Sequence, residues 1–146
     1  MSKGYNTNLA SEYFVMYMLH RYGADAYLSL GNKKAIDIIV LKNNSYFTID
    51  VKGLSKENAF ILGKYESKIN DKKHYYAFVL LKSKENDVPD LPDVYIVPAK
   101  DLIVKQTKLN GETLIEKNKL NNVYLSSLEK LDKKYKDKWK VFVGKS

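Results

Sequence analysis

The stretch that decides the fold is YFTIDVKG, at positions 46–53. Its β-branched and aromatic residues predict a β-strand, in which successive side chains alternate between the two faces. One face is therefore apolar, while Asp50 and Lys52 stand side by side on the other. Burying a charged group is costly unless it is paired or binds a metal. This second face is therefore either an ordinary wet surface or a functional site.

The composition predicts one globular domain spanning residues 1–146, because the chain is long enough to form a core and 45% of it is hydrophobic. The absence of cysteine excludes disulfides, thiolate metal sites and thiol catalysis. No stretch reaches the length of a membrane span, and the N-terminus lacks the apolar run of a secretory signal. We therefore expect a cytoplasmic protein with no membrane partner.

The formal net charge is +8, and nearly all the cations are lysines, with Arg21 as the single arginine. Lysine suits contact with phosphate backbones, whereas the reading of base edges usually favours arginine. A nucleic-acid partner recognised through its backbone is one explanation of this charge. A lysine-rich, solvated surface explains it equally well, because net charge concerns partners and solubility rather than fold.

The pattern of apolar residues predicts an α/β fold, with a central mixed sheet of about five strands flanked by helices. We expect a first helix over residues 8–22, capped by Asn8 and ended by Gly23. The predicted strands cover residues 26–30, 35–41, 46–52, 75–81 and 94–97. The apolar run 75–81 is typical of a central strand covered on both faces. Further helical segments are expected over residues 61–70, after Pro98, and over 125–139 as one basic amphipathic helix or two short ones.

Three carboxylates could meet Lys52 at one end of this sheet. Asp37 lies in the strand that precedes Asp50, so neighbouring strands would bring the two together. Glu12 lies on the apolar stripe of the first helix and could approach from there. Crowded carboxylates repel each other unless a cation holds them, and hard oxygen ligands suit Mg²⁺ or Mn²⁺. The alternatives are a surface salt bridge between Asp50 and Lys52 and a glutamate that simply reaches water.

This arrangement resembles the PD-(D/E)xK nuclease superfamily, which has the restriction-endonuclease-like fold. The matching residues are Glu12 in a first helix, Asp37 in a strand, and Asp50 and Lys52 in the next strand. Archaeal Holliday-junction resolvases share this layout, and small bacterial members of the superfamily are more similar along the chain. Two features depart from the pattern: Ile36 stands where the superfamily's proline would be, and no helical glutamine follows the lysine.

The resemblance implies Mg²⁺-dependent (or Mn²⁺-dependent) hydrolysis of phosphodiester bonds by an endodeoxyribonuclease. Asp37, Asp50 and the backbone carbonyl of Val51 would hold the metal. Lys52 would orient the attacking water or stabilise the charge that develops on the phosphate. Glu12 would bind a second metal or hold a metal-bound water.

Two other classes of function stay open. The chain could be a catalytically inactive nuclease-fold module that binds nucleic acid or a protein, or a structural protein whose basic charge is incidental. For the nuclease we expect DNA as the partner, with phosphates contacted by Lys33, Lys34, Lys56 and Lys64. A homodimer would suit the cutting of two strands. His74, at the entrance of the strand 75–81, lacks metal-ligand spacing to His20 and is given no role.

Overall fold

The computed structural model describes residues 3–29, 36–55, 59–62, 72–82, 88–103, 108–109, 112–113, 115–116 and 122–144. The α-helices are Lys3–Arg21 (α1), Leu125–Glu129 (α2) and Asp132–Tyr135 (α3), and short 3₁₀ helices span Ala99–Asp101 and Trp139–Phe142. The strands are Asp25–Leu28 (β1), Ile38–Lys42 (β2), Ser45–Leu54 (β3), Ala59–Ile61 (β4), His74–Leu80 (β5), Asp93–Pro98 (β6), Leu102–Ile103 (β7), Lys108–Leu109 (β8), Glu112–Thr113 (β9), Ile115–Glu116 (β10) and Asn122–Tyr124 (β11).

A five-stranded sheet with the order β1-β2-β3-β5-β6 forms the centre of the molecule. β3 runs parallel to β5, and the other neighbouring strands are antiparallel. The predicted α/β fold, a mixed sheet of five strands flanked by helices, is therefore confirmed. β5 is an interior strand whose residues are mostly buried, which confirms the prediction from its unbroken apolar run.

A two-residue turn at Asn43 and Asn44 joins β2 to β3. Both asparagines have positive φ, of 51° and 61°, and Lys42 pairs directly with Ser45. This is the type I′ hairpin geometry, which matches the twist of the strands and which asparagine tolerates better than most residues. The turn fixes the register of β3, and the register decides which side chains share a face.

The first helix begins earlier than predicted and ends where predicted. It starts at Lys3, so Asn8 lies exposed inside the helix instead of capping it. Asparagine costs a helix interior only a fraction of a kcal/mol, so it does not force a start there. At the other end Gly23 has a φ of +84°, and Ala24 N–H donates to Leu19 O at 2.9 Å. This Schellman-type geometry ends the helix and turns the chain towards β1.

The sheet carries a separate hydrophobic cluster on each face. α1 and the C-terminal 3₁₀ helix cover the first face, through Val15, Leu19, Trp139 and Phe142 among others. β4, β7, β11, α2 and α3 pack on the second face, over β5, β6 and the end of β3. The two expected faces of β3 follow this division: Ile49 and Val51 belong to the first cluster, and Asp50 and Lys52 lie on the second face.

The C-terminal third differs from the expected regular elements. The segment 125–139 forms two short helices followed by a 3₁₀ helix, which is the second of the two predicted forms. A single 3₁₀ turn follows Pro98. Of the segment 61–70 predicted as partly helical, Ile61 belongs to the strand β4, and residues 63–70 lie outside the described residues. Within the described part of the chain, no helix has the length and apolar character needed to cross a membrane.

Gly53 is the point at which α1 and β3 come closest. A Cβ at this position would overlap Ser11 Oγ and would lie 3.0 Å from Thr7 Cγ2 and from the Thr7 carbonyl oxygen. Ser11 Oγ is itself held by donating a hydrogen bond to Thr7 O at 2.7 Å. Because helix backbone cannot give way as a flexible side chain can, any side chain at Gly53 would push α1 off the sheet.

Replacing Gly53 by alanine should therefore lower the free energy of unfolding by about 1–3 kcal/mol, the usual cost of overpacking. Urea denaturation of parent and variant measures this change. The matched control is Gly144→Ala, whose new Cβ would have its nearest contact at an ordinary 3.5 Å. This control should stay within about 0.5 kcal/mol of the parent. Equal stability of both variants would show that α1 does not pack tightly at Gly53.

Candidate functional site

Asp37 lies one residue before β2 and therefore outside the strand, whereas the prediction of a strand over 35–41 placed it inside. Ile38 is the first residue of β2 and pairs with Ile49 of β3, and Asp37 therefore lies just outside the ladder. Its backbone stays beside β3, because Asp37 N–H donates to Ile49 O at 3.0 Å. Asp37 and Asp50 thus belong to neighbouring segments at one end of the sheet.

The Asp37 carboxylate provides the hydrogen-bond acceptor for Val51 N–H that a neighbouring strand would otherwise provide. Its Oδ2 accepts a hydrogen bond from Val51 N–H at 2.7 Å. That N–H points to the β2 side of β3, beyond the first residue of β2, and would otherwise lack a ladder partner. The carbonyl of a strand residue points to the same side as its N–H, so Val51 C=O also faces this gap. A carboxylate has about four acceptor positions, and this bond uses one of them.

Asp50 is a buried carboxylate in the middle of β3. Only 5% of the residue is exposed, and its Oδ2 lies 3.5 Å from Nε2 of His74, which is also buried. This distance is within ion-pair range, but Nε2 makes no hydrogen bond to the described residues. The other ring nitrogen of His74, Nδ1, is 2.6 Å from Thr48 Oγ1. Thr48, His74 and Asp50 thus form a connected polar chain inside the second face.

His74 also belongs to this site, although the sequence predicts no role for it. The parallel pairing of β3 with β5 places Thr48 directly beside His74 and Asp50 beside Tyr76. A parallel register depends on a crossover connection and cannot be read from spacing along the chain. The only signal in the sequence is a histidine at the first position of an apolar strand, which is far too common to predict a contact.

Removing the hydroxyl of Thr48 tests whether this polar chain is formed. Thr48→Val keeps the shape of the side chain but leaves Nδ1 of buried His74 without its partner, which should cost about 1–3 kcal/mol of stability. Chemical denaturation measures the cost, and Ser126→Ala at an exposed position of α2 should change stability by less than about 0.5 kcal/mol. A Thr48→Val protein as stable as the parent would contradict the observed contact.

Lys52 follows Asp50 by two residues and therefore projects from the same face. Its side chain is partly buried, and in the parallel register it stands beside Phe78 of β5. The ammonium thus belongs to the same end of β3 as the two carboxylates. A cation in this position can meet an anionic ligand that approaches Asp37 and Asp50.

Glu12 is buried, with 8% of the residue exposed, so it does not simply reach bulk water. It follows Ser11 on α1, and Ser11 packs on Gly53, beside Lys52. However, α1 covers the first face, whereas Asp50 and Lys52 lie on the second. Within the described ranges no group of three His, Cys, Asp or Glu residues is arranged to hold a metal, and the expected approach of Glu12 to Asp37 and Asp50 stays a prediction.

The side-chain and backbone oxygens of Asp37, Asp50 and Val51 are donors of the type that Mg²⁺ prefers. Asp37 Oδ2 accepts from Val51 N–H, and the Val51 carbonyl points to the same side of β3. Mg²⁺ usually keeps several waters and is bound by one or two carboxylates together with substrate phosphates, so a complete protein cage is not required. The four lysines expected to contact phosphates, at 33, 34, 56 and 64, lie outside the described residues.

No family model and no curated protein matches the sequence. The fold is similar to that of the bacterial homing endonuclease I-Ssp6803I, with a TM-score of 0.47 and 11% sequence identity over 68% of each chain.

Proposed function

We propose that this protein is a Mg²⁺-dependent endonuclease of the PD-(D/E)xK type that hydrolyses phosphodiester bonds in DNA. The observation that supports it most is the hydrogen bond from Val51 N–H to Asp37 Oδ2, because Val51 lies between Asp50 and Lys52 on β3. Asp50 is a buried carboxylate beside His74, and buried titratable groups close to one another are typical of catalytic sites.

Asp37, Asp50 and the Val51 carbonyl are the groups that would hold the metal. When bound, Mg²⁺ would supply Lewis-acid polarisation of the phosphate and a lower pKa for the attacking water. His74 would keep the Asp50 carboxylate in place from behind, through the contact at 3.5 Å. The hydrogen bond from Val51 N–H would do the same for Asp37. Fixed ligands matter because catalytic groups must be positioned before the reaction rather than during it.

Lys52 would act on the substrate rather than on the metal. Its ammonium would donate to a non-bridging oxygen of the phosphate, where negative charge grows in the transition state, or would orient the attacking water. Glu12 would lie behind this group, on α1, and would hold a water or a second metal. The net charge of +8 would draw the anionic substrate to the protein and strengthen binding at low salt.

Cleavage of supercoiled plasmid DNA tests the proposal directly. With the parent protein, nicked and linear products should accumulate in Mg²⁺ or Mn²⁺ and should be absent in EDTA. DNA binding measured in EDTA should weaken steeply with salt, because lysines that contact phosphates release counterions. Salt-dependent binding without cleavage in either metal would favour the inactive binding module. Neither binding nor cleavage at low salt would favour a structural or protein-interaction role.

A further inference from the structure

The second face of the sheet carries several exposed or partly exposed side chains on β1, β2 and the start of β3, and none of the described helices packs over them. These residues are Tyr27, Ile39, Leu41 and Tyr46, which we call the tyrosine face. Tyr27 and Tyr46 are each 53% exposed and Leu41 is 46% exposed. The other half of the same face is covered by β4, β7, β11, α2 and α3. Large apolar side chains exposed together in this way usually mark a binding surface.

The tyrosine face is continuous with the proposed catalytic residues. Tyr27 pairs with Ile39 and Leu41 pairs with Tyr46, so the four side chains are direct neighbours on one surface. Ile39 lies two residues from Asp37, and Tyr46 lies four residues from Asp50. Tyr46 and Asp50 are separated by an even number of residues within β3, so the tyrosine face is also the face that carries Asp50. Four residues of a strand span about 13 Å, a distance that a few nucleotides of one strand also cover.

A cleft opens beside Leu41 and Tyr46 at the hairpin end of this face. Its volume is about 440 Å³, and its lining also includes Asp25 and the hairpin residues 42–45. This volume is within the range of clefts that bind small molecules, and a single nucleobase is smaller than most of those ligands.

The chemistry around the two tyrosine rings favours a nucleotide. Lys73 Nζ lies 5.6 Å from the centroid of the Tyr46 ring and donates a hydrogen bond to Ser45 Oγ at 2.7 Å. A base stacked on Tyr46 would thus place its phosphate near this ammonium. Tyr27 is hydrogen-bonded to Asp25, which raises the pKa of the Tyr27 phenol and keeps it neutral. A neutral, exposed ring is suited to stacking.

We propose that the tyrosine face binds unpaired nucleotides, which makes the substrate of the adjacent site a strand with single-stranded character. This inference rests on the proposed nuclease function and specifies the substrate class of that site. Aromatic side chains on a sheet stack bases of single strands and cannot reach bases paired in a duplex. Binding of a second copy of the chain to the tyrosine face is less favoured than binding of nucleotides, because a net charge of +8 on each copy opposes self-association.

Fluorescence anisotropy with labelled oligonucleotides tests this inference without any cleavage. Binding of single-stranded DNA, single-stranded RNA and duplex DNA is measured in EDTA, for the parent and for Tyr27→Ala and Tyr46→Ala. Each substitution should weaken single-strand binding about 5- to 100-fold, the range for loss of one stacked base. Tyr46→Phe keeps the ring and should bind like the parent. Comparing the DNA and RNA arms identifies the sugar that the face accepts.

The matched control is Tyr13→Ala, because Tyr13 is 59% exposed but lies on α1, which packs on the opposite face of the sheet. It should bind single strands like the parent. The inference is overturned if both alanine variants at the tyrosine face also bind like the parent. It is equally overturned if Tyr46→Ala only converts a dimer to a monomer in sedimentation, with binding unchanged.

Failure of this inference differs from failure of the proposed function. A parent protein that binds single strands through Tyr27 and Tyr46 but never cuts would uphold the tyrosine face and remove the catalytic proposal. If the parent protein cuts DNA with metal and the tyrosine variants bind single strands like the parent, the catalytic proposal is upheld and the tyrosine face is removed.

Discussion

Replacing Lys52 by alanine is expected to lower the rate of DNA cleavage by about 10²–10³, the usual cost of losing one donor aimed at developing charge. Mn²⁺ should still bind, and should bind as tightly or more tightly, because a neighbouring cation has been removed. The separation of these two effects identifies Lys52 as a group that acts on the substrate or the attacking water. Plasmid nicking gives the rate, and titration calorimetry gives the metal affinity.

Lys138→Ala provides the matched control for Lys52, since Lys138 is an exposed lysine near the C-terminus. This variant should cut DNA at nearly the parental rate and differ only slightly in the salt dependence of binding. If Lys52 merely formed a surface ion pair with Asp50, its removal would cost about 0–1 kcal/mol of stability and leave cleavage intact. A Lys52→Ala enzyme with parental activity would therefore remove Lys52 from the mechanism.

The second large effect is expected for Asp50→Asn, which keeps the shape of the side chain but takes one negative charge from the proposed metal ligands. Loss of a residue that only supports a ligand typically lowers metal affinity by about 10- to 100-fold. Loss of charge at a ligand itself should exceed that, and cleavage should fall with it. Asp37→Asn should behave in the same way. Calorimetric titration with Mn²⁺ measures both affinities in the absence of DNA.

Asp137→Asn is the control for both carboxylates. Asp137 is exposed and has a φ of 55°, a conformation that asparagine also tolerates, so the exchange should be neutral for folding and for metal. An Asp50→Asn protein that binds Mn²⁺ as tightly as the parent would show that Asp50 is not a ligand. The contact between Asp50 and His74 would then be the reason for burying this carboxylate.

Short sequence signals predict those parts of the fold that depend only on residues close together in the chain. Two adjacent asparagines indicate the hairpin between β2 and β3, and Gly23 indicates the end of α1. The start of α1 was predicted too late, because Asn8 is only weakly unfavourable inside a helix and did not end it. The parallel pairing of β3 with β5 joins residues far apart in the sequence, and no local pattern specifies such a register.

Some features of the candidate site likewise follow from local sequence, whereas others depend on segments far apart in the chain. Placing Asp50 and Lys52 on one face needs only the two-residue period of a strand. The hairpin register brings Asp37 beside β3, but β2 begins only at Ile38, so strand alternation does not decide where the Asp37 side chain projects. Burial of Asp50 and its contact with His74 depend on β5, which reaches β3 through a crossover connection. The apolar stripe of α1 predicts the burial of Glu12, but a helical pattern does not specify which side chains of the sheet it meets.

The most direct test of the central claim is a crystal structure of the protein soaked in Mn²⁺ and measured at a wavelength where manganese scatters anomalously. The account predicts an anomalous peak bound by the carboxylates of Asp37 and Asp50 and by the Val51 carbonyl, on the face that carries Lys52. A structure with no manganese at this position would contradict the account, particularly if Asp37 still bonded Val51 N–H and Asp50 still faced His74.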